Sequence, residues 1–541
     1  MNLKRPNIFI WITILVAWSF DFLFWDKVPG ISFAIFVLIT LGVGFLFARQ
    51  QGLIPAKNTL WLLIPIAFFT LMTIIRLEPM TIFLNLAAVL LLMGILAHSF
   101  LGGGWWLYTF KDYVVRAFTL GTDALYRQIA ILSKQPKKED SPEEGPKKTP
   151  VVLSVLRGVV IALPIVLIFT ALLAGADPIF EQNVDDFLEF FEIEDLGEQI
   201  FRGIYILIIA YLLAGVYLHA FYKDHDGDIA DEEKPWISRF LGFTETTIIL
   251  GSVNLLFIAF VAVQFQYFFG GQANITLEGY TYAEYARRGF GELVVVALFS
   301  LMLFLGLSAI SNRKTHTQRR VFSGLGIALV TLVTVILISS FQRLRLYEFA
   351  YGFTRLRAYT HVYMIWLGLL LAAVVVLELT KRQRYFALAT LVASLGFIVS
   401  LNLLNVDGFI ARQNLIRARS GGTLDIAYLA TLSEDVVPAL SDLYEEALQD
   451  GEQIEAIAGA IACHAVNNQE YDYTNHPSRN YTWQSFHLSR YLAQNDWSQR
   501  NRLKSDDFNV YYKDGKENYS NSYVIVDGEK VRCWTSNFGW D

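Results

Sequence analysis

The sequence predicts an all-α polytopic membrane helix bundle of about 11 transmembrane helices with a small C-terminal α+β soluble domain. Three observations predict it. Of the 541 residues, 54% are hydrophobic and only 17% are charged, at a mean hydropathy of +0.39, whereas a soluble globular chain carries roughly a quarter charged residues. Eleven stretches are long and apolar enough to cross a bilayer, and beyond residue 403 the hydropathy collapses to that of ordinary soluble protein. A single soluble domain, a disordered chain, a collagen and a disulfide-dense miniprotein are excluded. The net charge of −6 gives no reason to expect nucleic acid, which needs a concentrated basic surface.

A span needs about 20 mostly apolar residues to cross a hydrocarbon core of about 30 Å. The stretches lie near 7–25, 31–48, 59–75, 80–101, 152–174, 200–222, 245–269, 290–311, 321–341, 360–380 and 385–403. Lys4 and Arg5 precede the first, but its run is long, Trp-rich and without a small-x-small cleavage site. It reads as a signal anchor that stays.

Orientation follows from the Lys/Arg bias of the short loops. With the N-terminus inside, the cytoplasmic loops hold 22 basic residues and the opposite ones 8. The 176–199 loop on the outer side has no Lys or Arg and nine acidic residues. The expectation is therefore a multi-pass membrane protein with its N-terminus cytoplasmic and its C-terminal domain extracytoplasmic.

Four segments result. Residues 1–102 form an N-terminal membrane part of four spans. Residues 103–150 hold an amphipathic stretch, 105–131, with the pattern of an interfacial helix, then a Pro/Lys/Glu-rich run that reads as a disordered cytoplasmic linker. Residues 151–403 form a membrane core of seven spans, and 404–541, with 12 basic and 20 acidic residues, suffice for one small soluble domain. Helical patterns run there near 425–448, 452–467 and 483–495, and Tyr/Val alternation around Asp514-Gly515 and Asp527-Gly528 suggests a hairpin or small meander. Cys463 and Cys533 both fall in this appendage. On an outer membrane face they suit one disulfide, with two buried free thiols as the alternative.

The candidate site is a set of arginines where the positive-inside rule expects few. Arg287 and Arg288 stand in TYAEYARRGFGEL before the eighth span, with Glu284 and Glu292. Arg343, Arg345, Arg355 and Arg357 follow the ninth span, with Glu348. Arg412 and Arg417 follow the eleventh, with Asp407 and Asp425. The planar guanidinium fork matches phosphate or carboxylate in bidentate geometry, so one reading is an anion site at the outer leaflet. The other is that the arginines pair with those carboxylates and lock the appendage onto the membrane part.

These segments resemble the bacterial multi-pass family known as domain of unknown function 4173. The likeness rests on YAEYARRGFGEL, on FQRLRLYEFAYGFTRLR and on IARQNLIRARSGGTLDIAYLATLSEDVVPAL, and covers roughly residues 150–445. One departure is Asn405-Val406-Asp407, where the pattern has proline before the aspartate. The resemblance implies a bacterial integral membrane protein, and with the orientation above the expected location is the bacterial cytoplasmic (inner) membrane; it supplies no activity.

Inside the spans lie Asp21, His98, Arg157, Arg202, His219, Glu245, Glu292 and Glu378, each costly in hydrocarbon and so a functional candidate. Asp21 and Glu245 are the stronger candidates for a buried role, with interfacial placement preferred for Glu245. The run 223–233 lacks the Gly and Glu positions of a calcium loop. No GxxxxGK[ST], HExxH, CxxC or GxSxG occurs, and His476 and His487 lack a third ligand at zinc spacing. No metal and no cofactor is expected, and the catalytic residues of any reaction are unknown. The preferred expectation is a non-enzymatic envelope protein whose partners are the lipid bilayer and an anionic lipid or lipid-linked group. The alternatives are a transporter or flippase of an anionic substrate, and a transferase using a lipid-phosphate donor with Glu284, Asp407, Asp425 and Asp435 as its acids.

Overall fold

A computed structural model describes residues 5–133, 196–221, 240–269, 290–475, 482–503, 509–512 and 522–533, with isolated positions between 166 and 184. Ten helices among these residues are long and apolar enough to cross a membrane. They are α1 (Pro6–Phe24), α2 (Ile31–Gln51), α3 (Lys57–Ile75), α4 (Pro79–Ser99), α6 (Leu196–Ala220), α7 (Phe243–Phe269), α8 (Phe290–Ile310), α9 (His316–Tyr351), α10 (Arg355–Leu379) and α11 (Phe386–Leu404). An amphipathic helix, α5 (Phe110–Ser133), follows α4. The chain is a multi-pass membrane protein. These ten match ten of the eleven expected spans. The fifth, 152–174, lies outside the described residues apart from isolated positions, as do the 134–150 linker, the acidic run 223–233, Asp514-Gly515 and His476.

The described chain falls into two compact units. The first comprises Met1–Trp25, Phe36–Ile54 and Phe118–Tyr222. Within it α1 packs along α6 through Phe20, Trp25, Phe201 and Tyr205. Asp21 is buried on α1 and receives the Arg202 guanidinium of α6 in a fork, Nε at 3.1 Å and Nη2 at 2.6 Å. That pairing answers the cost of a carboxylate at membrane depth. Nearer the other end of α6, His219 Nδ1 stands 2.7 Å from Asp123.

The second unit comprises Asp26–Ile35, Pro55–Ala117 and Lys223–Asp541. Its membrane core is mostly apolar. Phe304 of α8, Phe322 and Leu329 of α9 and Met364, Leu367 and Leu371 of α10 are buried together. Polar side chains in it pair with each other, as the Asn85 and Asn402 amides do across α4 and α11, at 2.9 and 2.7 Å. Glu245 is exposed in the first turn of α7 and accepts from Gly242 N–H, so it caps its own helix at the interface.

After α11 the chain turns through the single residue Asn405 into α12 (Val406–Arg419). Asn405 adopts the left-handed conformation at φ 49° and its side chain accepts from Gly408 N–H at 3.3 Å, ending one helix and capping the next. Val406 occupies the first helical position, where proline is favoured. Then come α13 (Ile426–Ala430), α14 (Val437–Asp450), α15 (Ile454–Asn475), α16 (Leu488–Leu503) and the strands β1 (Tyr511–Tyr512), β2 (Ser522–Val526) and β3 (Glu529–Arg532). The sheet order is β1-β2-β3, all antiparallel. The β2–β3 hairpin turns on Asp527 and Gly528, both at positive φ, as the Asp-Gly signal requires. The expected helix over 425–448 is two helices, because the chain breaks at 431–436 to carry Ser433 and Asp435 to buried partners. Ile410, Leu429, Leu440, Ile461 and Val524 form the core, with Ala358 and Leu401 of the spans buried in the same cluster. Cys463 of α15 and Cys533 after β3 form a disulfide.

Candidate functional site

Two polar assemblies gather where α4, α9, α10 and α12 end or begin. The first is closed. Asp407, fully buried on α12, accepts Arg355 Nε at 2.8 Å and Nη2 at 2.7 Å, and also Ser433 N–H at 2.7 Å and its hydroxyl at 2.6 Å. Glu78 precedes Pro79 and caps α4 through Met80 N–H at 3.0 Å and Thr81 N–H at 2.7 Å. It also accepts the Tyr359 and Thr81 hydroxyls. Asp435 takes Leu77 and Glu78 N–H, both at 2.8 Å, and the Ser489 hydroxyl.

Every one of these carboxylates is buried and hydrogen-bonded, as groups taken out of water must be. Burial pushes the Asp435 carboxyl up to about 6, the nearby Asp407 charge adds to this, and its three donors pull the other way. Burial also drives the Tyr428 phenol up to about 12, while its oxygen accepts Arg355 N–H at 3.0 Å. His464, wholly buried with Nε2 donating to Leu432 O at 3.0 Å, is held below the ordinary histidine range by desolvation. This assembly is a lock, filled by its own members.

The second assembly is open. Gly352 ends α9 at φ 82°, and its N–H donates to Glu348 O at 2.7 Å. Asn414 of α12 grips the next residue, accepting Phe353 N–H at 2.7 Å and donating to Phe353 O at 3.0 Å. A Cβ at Gly352 would lie 2.6 Å from Asn414 Oδ1 and 3.3 Å from Arg417 Nε, so the close approach and the backbone both require glycine. Beside this junction the last turns of α9 and the C-terminal half of α12 border a cleft of about 520 Å³, lined by Arg345, Glu348, Phe349, Phe353, Ile416 and Arg417 among others. That volume is within the range of small-molecule sites, about 300–1,000 Å³.

The electrostatics of the cleft are mixed. Arg345 is exposed, with no hydrogen bond or ion pair among the described residues. Arg417 donates through Nη2 to Thr423 O at 2.6 Å, while its Nε is buried without a partner among the described residues. Glu348 is 1% exposed, and its Oε1 lies 2.9 Å from His361 Nδ1 without a hydrogen bond. By distance the contact is an ion pair when the ring is protonated, without the alignment of a hydrogen bond.

The remaining candidates separate from the cleft. Arg355 belongs to the lock. Arg357, 7% exposed, donates to Gly352 O and lies 4.0 Å over the Tyr347 ring. Arg343 donates to Gln264 at 2.9 Å, and Arg412 pairs at the surface with Asp442 at 3.0 Å. Asp425 caps α13 by accepting Tyr428 N–H at 2.9 Å, and Glu292 is exposed in the first turn of α8. Glu284, Arg287 and Arg288 lie outside the described residues. Glu78, Tyr359, Ser433 and Ser489 were not among the sequence candidates. For Glu78 a signal existed, since an acidic residue before proline and an apolar run marks a helix start. Tyr359, Ser433 and Ser489 carry no local signal, because their partners are distant in sequence.

A family model described as Domain of unknown function (DUF4153) matches residues 63–443. This corrects the resemblance to domain of unknown function 4173. The quoted segments are rich in arginine and aromatic residues, a composition that membrane interfaces impose widely. The match also takes in the third and fourth spans, which precede those segments. No curated protein and no solved structure matches the chain.

Proposed function

We propose, from the premise that the chain belongs to the Domain of unknown function (DUF4153) family, that it is a non-enzymatic envelope protein of a bacterial cytoplasmic membrane that holds an anionic group in the α9–α12 cleft. The N-terminus lies in the cytoplasm and residues 404–541 lie outside. The basic bias of the cytoplasmic loops supports that orientation, and so does the Cys463–Cys533 bond, since disulfides persist in oxidising compartments. The outer leaflet then meets the cleft, and the anion is a phosphate or carboxylate.

One observation carries the reading: Arg345 and Arg417 line one open cleft, and the buried Nε of Arg417 has no partner among the described residues. Buried donors are nearly always satisfied, so an orphan beside a cavity marks a place for an acceptor. Hydrogen bonds to a charged group contribute roughly 1.5–3 kcal/mol each, so R345A and R417A should each weaken binding by about tenfold or more. The measurement is retention of a radiolabelled phospholipid by the purified full chain in detergent micelles. Equal retention by wild type and the R345A/R417A double variant would sink the anion site.

A further inference from the structure

The cleft is not uniformly positive, and that narrows its ligand. Glu348 forms part of its wall at 1% exposure, and its Oε1 lies 2.9 Å from His361 Nδ1 but accepts no aligned hydrogen bond among the described residues. Arg345 precedes it by one turn on α9, and Arg417 faces the same space from α12. Among the described residues the charged group in contact with Glu348 is His361, whose ring stands edge-on to Phe341 at 4.5 Å, while Arg357 is committed to Gly352 O. A ligand carrying only negative charge would satisfy the arginines but set a like charge beside a buried carboxylate, where screening is weak. A ligand with an anion at one end and a hydrogen-bonding cation at the other satisfies all three side chains.

We propose, building on the anion-site reading above, that the cleft recognises a zwitterion: a phosphate on Arg345 and Arg417 and a primary ammonium on Glu348. The chemistry is that of a phosphoethanolamine group. Phe349 and Ile416, 75% and 56% exposed at the cleft, give an apolar margin along which acyl chains would lie if the source is a lipid. A free water-soluble ester carries the same two charges without using that margin.

Native mass spectrometry of the full chain in detergent micelles tests this, with three lipids of identical chains. They are phosphatidylethanolamine, its N-acetyl derivative, which lacks the positive charge, and phosphatidylglycerol. Wild type should prefer phosphatidylethanolamine over both others by about tenfold. E348Q should erase that preference, and R345A/R417A should lose all three lipids. Competition by soluble glycerophosphoethanolamine as strong as by the lipid supports the zwitterion with a free ester as source, and weaker competition supports the lipid. Wild-type binding of phosphatidylglycerol or the N-acetyl lipid as tight as phosphatidylethanolamine overturns the proposal, with no variant needed. If the arginine variants lose every lipid while E348Q leaves the ratios unchanged, the anion site stands and the zwitterion falls. If R345A/R417A retains them all, the anion site itself falls.

Discussion

At the scale of single residues, stability is concentrated in groups that have no substitute. Gly352 combines a positive φ with contacts that leave no room for a Cβ. G352A should destabilise the protein by about 1–3 kcal/mol, seen as a lowered midpoint in thermal unfolding of the detergent-solubilised chain. Asp435 is a titrating element of the lock. Its folded pKa of about 6 stands above the ordinary 3.8, so the folded state binds the proton more tightly. Its contribution is complete below about pH 4 and is lost as pH rises through 6, a change of roughly 3 kcal/mol. His487 works in the opposite sense. Burial first, then Arg490, lowers it to about 4, so its contribution is complete above pH 6.5 and is lost as pH falls through 4. D435N removes the first term alone, so the stability of wild type relative to D435N should fall between pH 4 and 7. A pH-independent difference would contradict the assignment.

At the scale of elements, the junction is made by helix ends. Glu78 caps α4, Arg355 opens α10, and Asp407 sits in the first turn of α12. The Arg355–Asp407 pair is the electrostatic centre. R355A leaves Asp407 buried without its counter-charge and should cost about 3–5 kcal/mol. R355A/D407A should recover part of this loss, the coupling being read from the double-mutant cycle of unfolding midpoints.

Most helices were legible in the sequence, because about 20 apolar residues in a row rarely form anything except a membrane span. The β2–β3 turn was legible for the same kind of reason, Asp-Gly being nearly committed to that geometry. The site was legible only as a set of arginines. Composition cannot say that Arg355 turns inward to Asp407 while Arg345, ten residues earlier, faces open space. That difference is set by Gly352, which redirects the chain between them. The break at 431–436 escaped for a similar reason, since its cause is a partner 26 residues away.

At the scale of the whole molecule, the terminal segment is an extension of the bundle. Its core continues into Ala358 and Leu401, and its far end returns to α15 through Cys463 and Cys533, 70 residues apart. Closing a loop of that length stabilises by about 4 kcal/mol in the chain-entropy account. C463S, or treatment with reductant, should lower the unfolding midpoint, with a loss of about 2–5 kcal/mol. No shift on reduction would mean that the bond is absent in the native protein.

The single residue between α11 and α12 has a mechanical meaning. A longer connector would let the terminal segment rock while the last span stayed still. Asn405 permits no slack: its amide holds Gly408 on one side and donates to Asp435 O at 3.0 Å on the other. A torque on the terminal segment, such as a ligand entering the cleft on α12, would pass into the last span as if the two were one shaft.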